Sequence, residues 1–206
     1  MGCFGEAGGG AFVVSVAAAR LARFSRIATY FHEKDLAMLR QGRLPMRRTQ
    51  KGFWGSTNLF VLYTFFSRAG LARRRRFCDL GCGDGRVVLV ASLFTRAEGV
   101  EWDAALCGEA REAAKSLGMD VRIVRGDFTR VSLKGFDVFY SFPDNEFSEA
   151  FEEKLCRECP GGVLFVHDVL YRPKLLRRLR TVWVDQRPFY EYALTPRRGV
   201  ARRLQK

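Results

Sequence analysis

"FCDLGCGDGR", residues 77–86, decides the fold. A short apolar run ends at Asp79, and Gly81, Gly83 and Gly85 then alternate with other residues. Glycines at this spacing let a chain turn tightly from a strand into a helix and bring its backbone close to a ligand. The dinucleotide fingerprint G-x-G-x-x-G is not met, because position 86 is Arg86 where the third glycine belongs. Asp79 and Asp84 repel a pyrophosphate and attract a ligand that carries an ammonium group. The loop therefore points to an amino-acid-bearing nucleoside.

Downstream of this loop, strands and helices alternate. Strands are expected at 76–80, 97–101, 120–125, 136–142, 162–167, 181–186 and 189–194, with helices at 85–95, 103–117, 146–158 and 172–179. Such alternation argues an α/β, Rossmann-like doubly wound sheet, mostly parallel and covered on both faces. Only Arg187-Pro188 separates the last two strands, so they form an antiparallel hairpin. Upstream, Ala17, Leu21, Phe24, Ala28 and Phe31 mark the apolar stripe of an N-terminal helix over 11–40. Residues 40–52 read as a basic linker, and 56–70 as a helix with Ser56 or Thr57 as N-cap and Gly70 as C-cap. The expected organisation is a basic arm over 1–50, a ligand-binding domain over 51–196 and a basic tail over 197–206.

Each of the next two strands also ends in an acid. Glu101, in "GVEWD", can accept both hydroxyls of a ribose, and Trp102 can lie against a purine. Asp127, in "RGDF", can accept from an exocyclic amine while the Phe128 amide meets a ring nitrogen. In this order the pattern resembles the class I S-adenosylmethionine (SAM) methyltransferases, with "DLGCGDG" as first motif and Glu101 and Asp127 in the second and third. The resemblance implies SAM as cofactor and a seven-stranded sheet with its final strand antiparallel. "GFWGSTNLF" (52–60) is similar to the tyrosine-glycine-glutamate-threonine-serine loop of the disruptor-of-telomeric-silencing histone lysine methyltransferases. Archaeal protein lysine methyltransferases have a similar core. Trp54, Gly55, Thr57 and Asn58 stand in that loop for Tyr, Gly, Thr and Ser. The loop is implied to close over the methionine end of SAM. Ser56 replaces the loop glutamate, and "YSFPD" (140–144) replaces the family's paired asparagines.

The resemblance implies that the residues after the fourth strand face the transferred methyl, which makes Ser141, Phe142 and Asp144 the candidate catalytic residues. Phe142 can wall an apolar channel for a lysine stem. Asp144 either orients the incoming ammonium or is a turn residue. His167 and Asp168 are either a proton relay or structural. The resulting expectation is a SAM-dependent enzyme acting on protein lysine. A nucleic-acid methyltransferase and a non-catalytic SAM-binding module stand as alternatives.

Lys and Arg number 35 against 22 Asp and Glu, a net charge of +13. Arg73–Arg76, 172–180 and 197–206 carry much of this excess and can contact a nucleic-acid backbone without reading sequence. Cys78 and Cys82 lie in and beside the glycine loop, a reduced usage that favours a cytoplasmic setting, with nucleoid or chromatin association or an organelle open. Cys156 and Cys159 form an isolated pair without further ligands, so no metal is expected. No run approaches the ~18 apolar residues of a membrane span. Gly2 and Cys3 hint at lipidation, but Glu6 stands where myristoylation favours Ser or Thr.

Overall fold

The computed structural model describes residues 8–167 and 170–196, with backbone alone for 8–15 and 196. Asp168, Gly2, Cys3 and the tail from 197 lie outside the described residues. The elements in order are α1 (Gly8–Arg40), β1 (Met46–Thr49), β2 (Gly52–Gly55), α2 (Leu59–Arg68), β3 (Arg76–Leu80), α3 (Arg86–Ala91), β4 (Arg96–Glu101), α4 (Ala104–Leu117), β5 (Arg122–Arg125), β6 (Val138–Ser141), α5 (Glu149–Glu158), β7 (Val163–His167), β8 (Leu176–Val184) and β9 (Arg187–Pro196).

Seven strands form one sheet in the order β5-β4-β3-β6-β7-β9-β8. All neighbours are parallel except β9, which runs antiparallel to both β7 and β8. The chain leaves β3 toward β4 and β5, then returns to place β6 on its other side. This reversal opens a crevice at the carboxyl ends of β3 and β6, where ligands of open α/β sheets bind.

Both sheet faces are buried, so the central strands are apolar throughout, as β7 "VLFVH" shows. One core takes side chains from α1 to α4, and the other from α5. Much of the aromatic content packs on the first face: Phe65 stacks on Phe189 with centroids 4.0 Å apart and meets Phe165 edge-on at 5.0 Å. Such pairs add about 0.5–1.5 kcal/mol each beyond area burial.

Five sequence expectations need correction. The stripe of α1 that is buried is Phe24, Ile27 and Phe31, whereas Leu21 is exposed. Within the expected 40–52 linker, Met46–Thr49 form β1, which pairs antiparallel with β2, with Thr49 opposite Gly52. Helix α2 is capped by Asn58, whose side chain accepts from the Phe60 and Val61 amides, rather than by Ser56 or Thr57. Its C-cap is Ala69, with Gly70 left-handed just beyond. Residues 172–179 do not form a helix: β8 begins at Leu176 and pairs with β9 through a bulge between Arg178 and Arg180.

Candidate cofactor and acceptor site

Asp79, one residue before the end of β3, is 2% exposed. Burial pushes its carboxyl well above the usual range, and the neighbouring charges of Glu101 and Asp84 push it further. No ion pair to Asp79 forms among the described residues. Asp84 behaves oppositely. Burial raises it, but Arg86 and Lys34 offset this, and its carboxyl is held below the ordinary range. Arg86 Nη2 and Lys34 Nζ lie 2.8 and 3.0 Å from its Oδ2. The glycine loop thus carries one compensated acid and one uncompensated acid.

Gly83 takes φ 54°, and a Cβ there would stand 2.4 Å from the Trp54 ring. The hairpin tryptophan therefore lies directly on the loop. Gly85 has a different reason to be glycine: a Cβ would meet that of Ala110 at 2.8 Å, so the position serves packing of α3 on α4. Gly85 lines neither cleft described below, which removes it from the expected ligand contacts. Glu101, at the end of β4, accepts from the Gly83 and Asp103 amides, each at 2.8 Å. It ties the loop to the start of α4.

Two adjoining clefts lie over these strand tips. The first, about 410 Å³, holds Glu101, Trp102, Asp127, Phe128, Ser141 and the hairpin tip. The second, about 370 Å³, holds Asp79, Gly81, Gly83, Gly55, Thr57 and Tyr140. Phe53, Trp54, Gly81, Phe142, Pro143 and Asp144 line both and mark their junction. Every expected site residue except Gly85 thus borders one shared space.

Individual roles shift within that space. The Ser141 hydroxyl donates to the Leu80 carbonyl at 3.3 Å and is buried. Asp144 Oδ2 accepts from the Phe53 amide, which fixes the hairpin to the β6 loop. Phe142 is half-exposed and lies 4.2 Å, centroid to centroid, from the His167 ring. His167 Nδ1 pairs with the buried Tyr140 hydroxyl at 2.8 Å, and Phe189 stacks on the imidazole at 4.2 Å. These contacts hold the imidazole as an ordered wall. Burial raises the Tyr140 phenol, and Asp79 raises it further. Burial likewise raises the Cys78 and Cys82 thiols, followed by the charge of Asp79. Cys159 Sγ donates to the Leu133 carbonyl at 2.9 Å.

Lys51, Gly52 and Phe53 also line the first cleft and were not among the expected site residues, although Gly52 and Phe53 open the 52–60 loop. A further signal was Gly52, which follows a polar Gln-Lys pair as turn glycines do. Lys51 Nζ lies 2.7 Å from Asp127 Oδ2 and 3.7 Å from the Trp102 ring centroid. Burial raises the Asp127 carboxyl, but Lys51 and Thr129 more than offset it and bring it down to about 2.

The residues present fit SAM. An uncompensated buried carboxylate stands where a cationic amino-acid end is needed. Two further acids and an exposed tryptophan follow in the order a nucleoside requires.

Comparison with known proteins supports the same class. The fold and the methyltransferase family match define a class I, SAM-dependent methyltransferase. More particularly, residues 79–168 match the family model of the ANTKMT methyltransferase domain. No curated protein matches the chain. Among solved structures, an RNA methyltransferase from Salinibacter ruber in complex with S-adenosyl-L-homocysteine superposes with TM-score 0.56 at 23% identity, over 68% of this chain and 94% of that one. The putative methyltransferase YhhF from Escherichia coli gives 0.54 at 16% identity, over 68% and 87%. MtNAS in complex with MTA and tNA gives 0.54 at 19% identity, over 66% and 60%. At these identities the three are likenesses of fold.

Proposed function

We propose that this methyltransferase acts on the amino group of protein lysine, with the acceptor entering at the junction of the two clefts. The observation that carries this reading is the make-up of the junction: rings of Phe53, Trp54 and Phe142 around the single carboxylate of Asp144. Such a slot suits an aliphatic stem with a cationic head. The ANTKMT match points the same way.

In this reading Asp79 receives the ammonium of the cofactor, Glu101 the ribose, and Asp127 with the Phe128 amide the adenine. Gly81 and Gly83 keep the backbone close, while Gly55, Thr57 and Trp54 close the methionine end. SAM supplies an activated methyl on a sulfonium. The protein's share is alignment and exclusion of water. A lysine with an ordinary pKa near 10.4 must lose a proton before attack. Entry into an apolar slot beside a cation lowers that pKa, so no strong base is needed.

Labelling tests the reading. Purified protein is incubated with methyl-labelled SAM and a cell extract, and the product is treated with nuclease. The expected label remains on protein and is recovered as methyl-lysine after hydrolysis, and Asp79→Asn abolishes it. Label removed by nuclease would identify a nucleic-acid substrate and end the lysine proposal.

A further inference from the structure

Lys51 sits at the turn of the hairpin, between Thr49 and Gly52. Its ammonium makes two contacts, one to Asp127 Oδ2 at 2.7 Å and one over the Trp102 ring at 3.7 Å. Asp127 is the acid assigned above to the adenine of the cofactor, and Trp102 is the ring expected to lie against the purine. Asp127 has little to share. Its Oδ1 already accepts from the Thr129 amide at 2.9 Å and the Thr129 hydroxyl at 2.6 Å. Oδ2 is the oxygen left for an exocyclic amine, and Lys51 holds it. The Trp102 face bearing the ammonium cannot also carry a purine.

The rest of the hairpin is fixed. Asp144 holds the Phe53 amide on one side of the cleft. Arg47 Nη2 bonds Glu109 Oε1 at 2.8 Å on the other, and its guanidinium lies 5.5 Å from the Trp54 ring. Trp54 itself rests on Gly83. Between these anchors the Lys51 side chain can swing: it is 48% exposed on a flexible four-carbon stem.

We propose that Lys51 is an internal competitor for the purine subsite, a positioning residue that must leave Asp127 and Trp102 before the adenosyl half of the cofactor seats. The proposal rests on the adenine assignment made under the proposed function. Its consequence is a reduced apparent affinity, because only the fraction of molecules with the lysine withdrawn accepts the purine. Loss of the lysine therefore strengthens cofactor binding, the reverse of what loss of an ordinary contact residue does.

Calorimetry on the full chain with SAM and with adenosine tests this. Lys51→Met is expected to tighten both by about three- to tenfold, given one half-exposed ion pair and one cation–π contact. Adenosine gains alongside SAM because the competition concerns the nucleoside alone. Lys51→Arg retains a cation and keeps the wild-type affinity. In the Lys51→Met background, Asp127→Ala weakens SAM, since the acceptor is then released from the lysine, with the exposed Arg130 4.0 Å from Oδ2 as its remaining cation. If Lys51→Met leaves affinity unchanged or weaker while Asp127→Ala still weakens it in that background, the competitor is overturned and the adenine assignment stands. If Asp127→Ala has no effect there, the assignment falls and the competitor with it. Thermal melting shows whether each variant is folded at the titration temperature.

Discussion

Asp79 is where stability and cofactor binding pull against each other. A carboxyl whose folded pKa is raised stabilises the fold below its unfolded pKa, and that stability is lost as pH rises through the folded value. At neutral pH Asp79, buried beside Glu101 and Asp84, is thus a cost to the fold. Asp79→Asn removes that cost. Its melting temperature at neutral pH is expected to rise by about 2–4 °C, what ~1 kcal/mol gives in a chain of this size. SAM affinity falls at least about tenfold, because a charge-assisted contact to the cofactor ammonium is gone. In the wild type, SAM binding weakens as pH falls through the raised pKa. Differential scanning fluorimetry and calorimetry read both effects. A lower melting temperature for Asp79→Asn would show that a cation already compensates the carboxylate.

At the scale of elements, what the sequence revealed depended on whether local pattern and tertiary partner agreed. The tips of β3, β4 and β5 were legible because an apolar run, a turn and an acid coincide at Asp79, Glu101 and Asp127. Strand β8 was not. "PKLLRRLR" spaces its leucines as a helix does and is rich in good helix formers, yet register with β9 prevails, leaving Arg177, Arg178 and Leu179 exposed. The hairpin over 46–55 was hidden for another reason. Its strands are four residues each, and their more buried face carries Arg47, Thr49, Gly52 and Trp54, so apart from the tryptophan no apolar period is imprinted. The cap of α2 falls at Asn58, one or two residues beyond Thr57 or Ser56, and this yields a test. Asn58→Ala leaves the Phe60 and Val61 amides without their acceptor and is expected to cost about 1 kcal/mol, or some 2–4 °C in melting temperature. Ser56→Ala leaves the melting temperature unchanged. The opposite ranking would return the cap to the residue that sequence alone suggested.

Across the whole molecule, α1 and the glycine loop are joined by one buried cation. Arg86, 4% exposed, forks onto Asp35 of α1 at 2.9 and 3.0 Å and onto Asp84 at 2.8 Å. Its guanidinium also lies 4.7 Å from the Phe31 ring, and Lys34 reaches from the same helix to Asp84. The long N-terminal helix is therefore wired to the loop that receives the cofactor, although it lines neither of the two clefts. Removing one partner of a buried pair leaves the other charge stranded, so Arg86→Met is expected to destabilise by about 3–5 kcal/mol. Asp35→Asn is milder, because Asp35 is partly exposed and Asp84 keeps both Arg86 and Lys34; about 1 kcal/mol is expected. That milder variant isolates the coupling. If α1 steadies the loop through Arg86, Asp35→Asn weakens SAM by several-fold in a protein that remains folded, without altering any group in either cleft. Denaturant unfolding and calorimetry on the same sample measure the two effects. An Asp35→Asn protein with full SAM affinity would show that the helix packs beside the loop without steadying it.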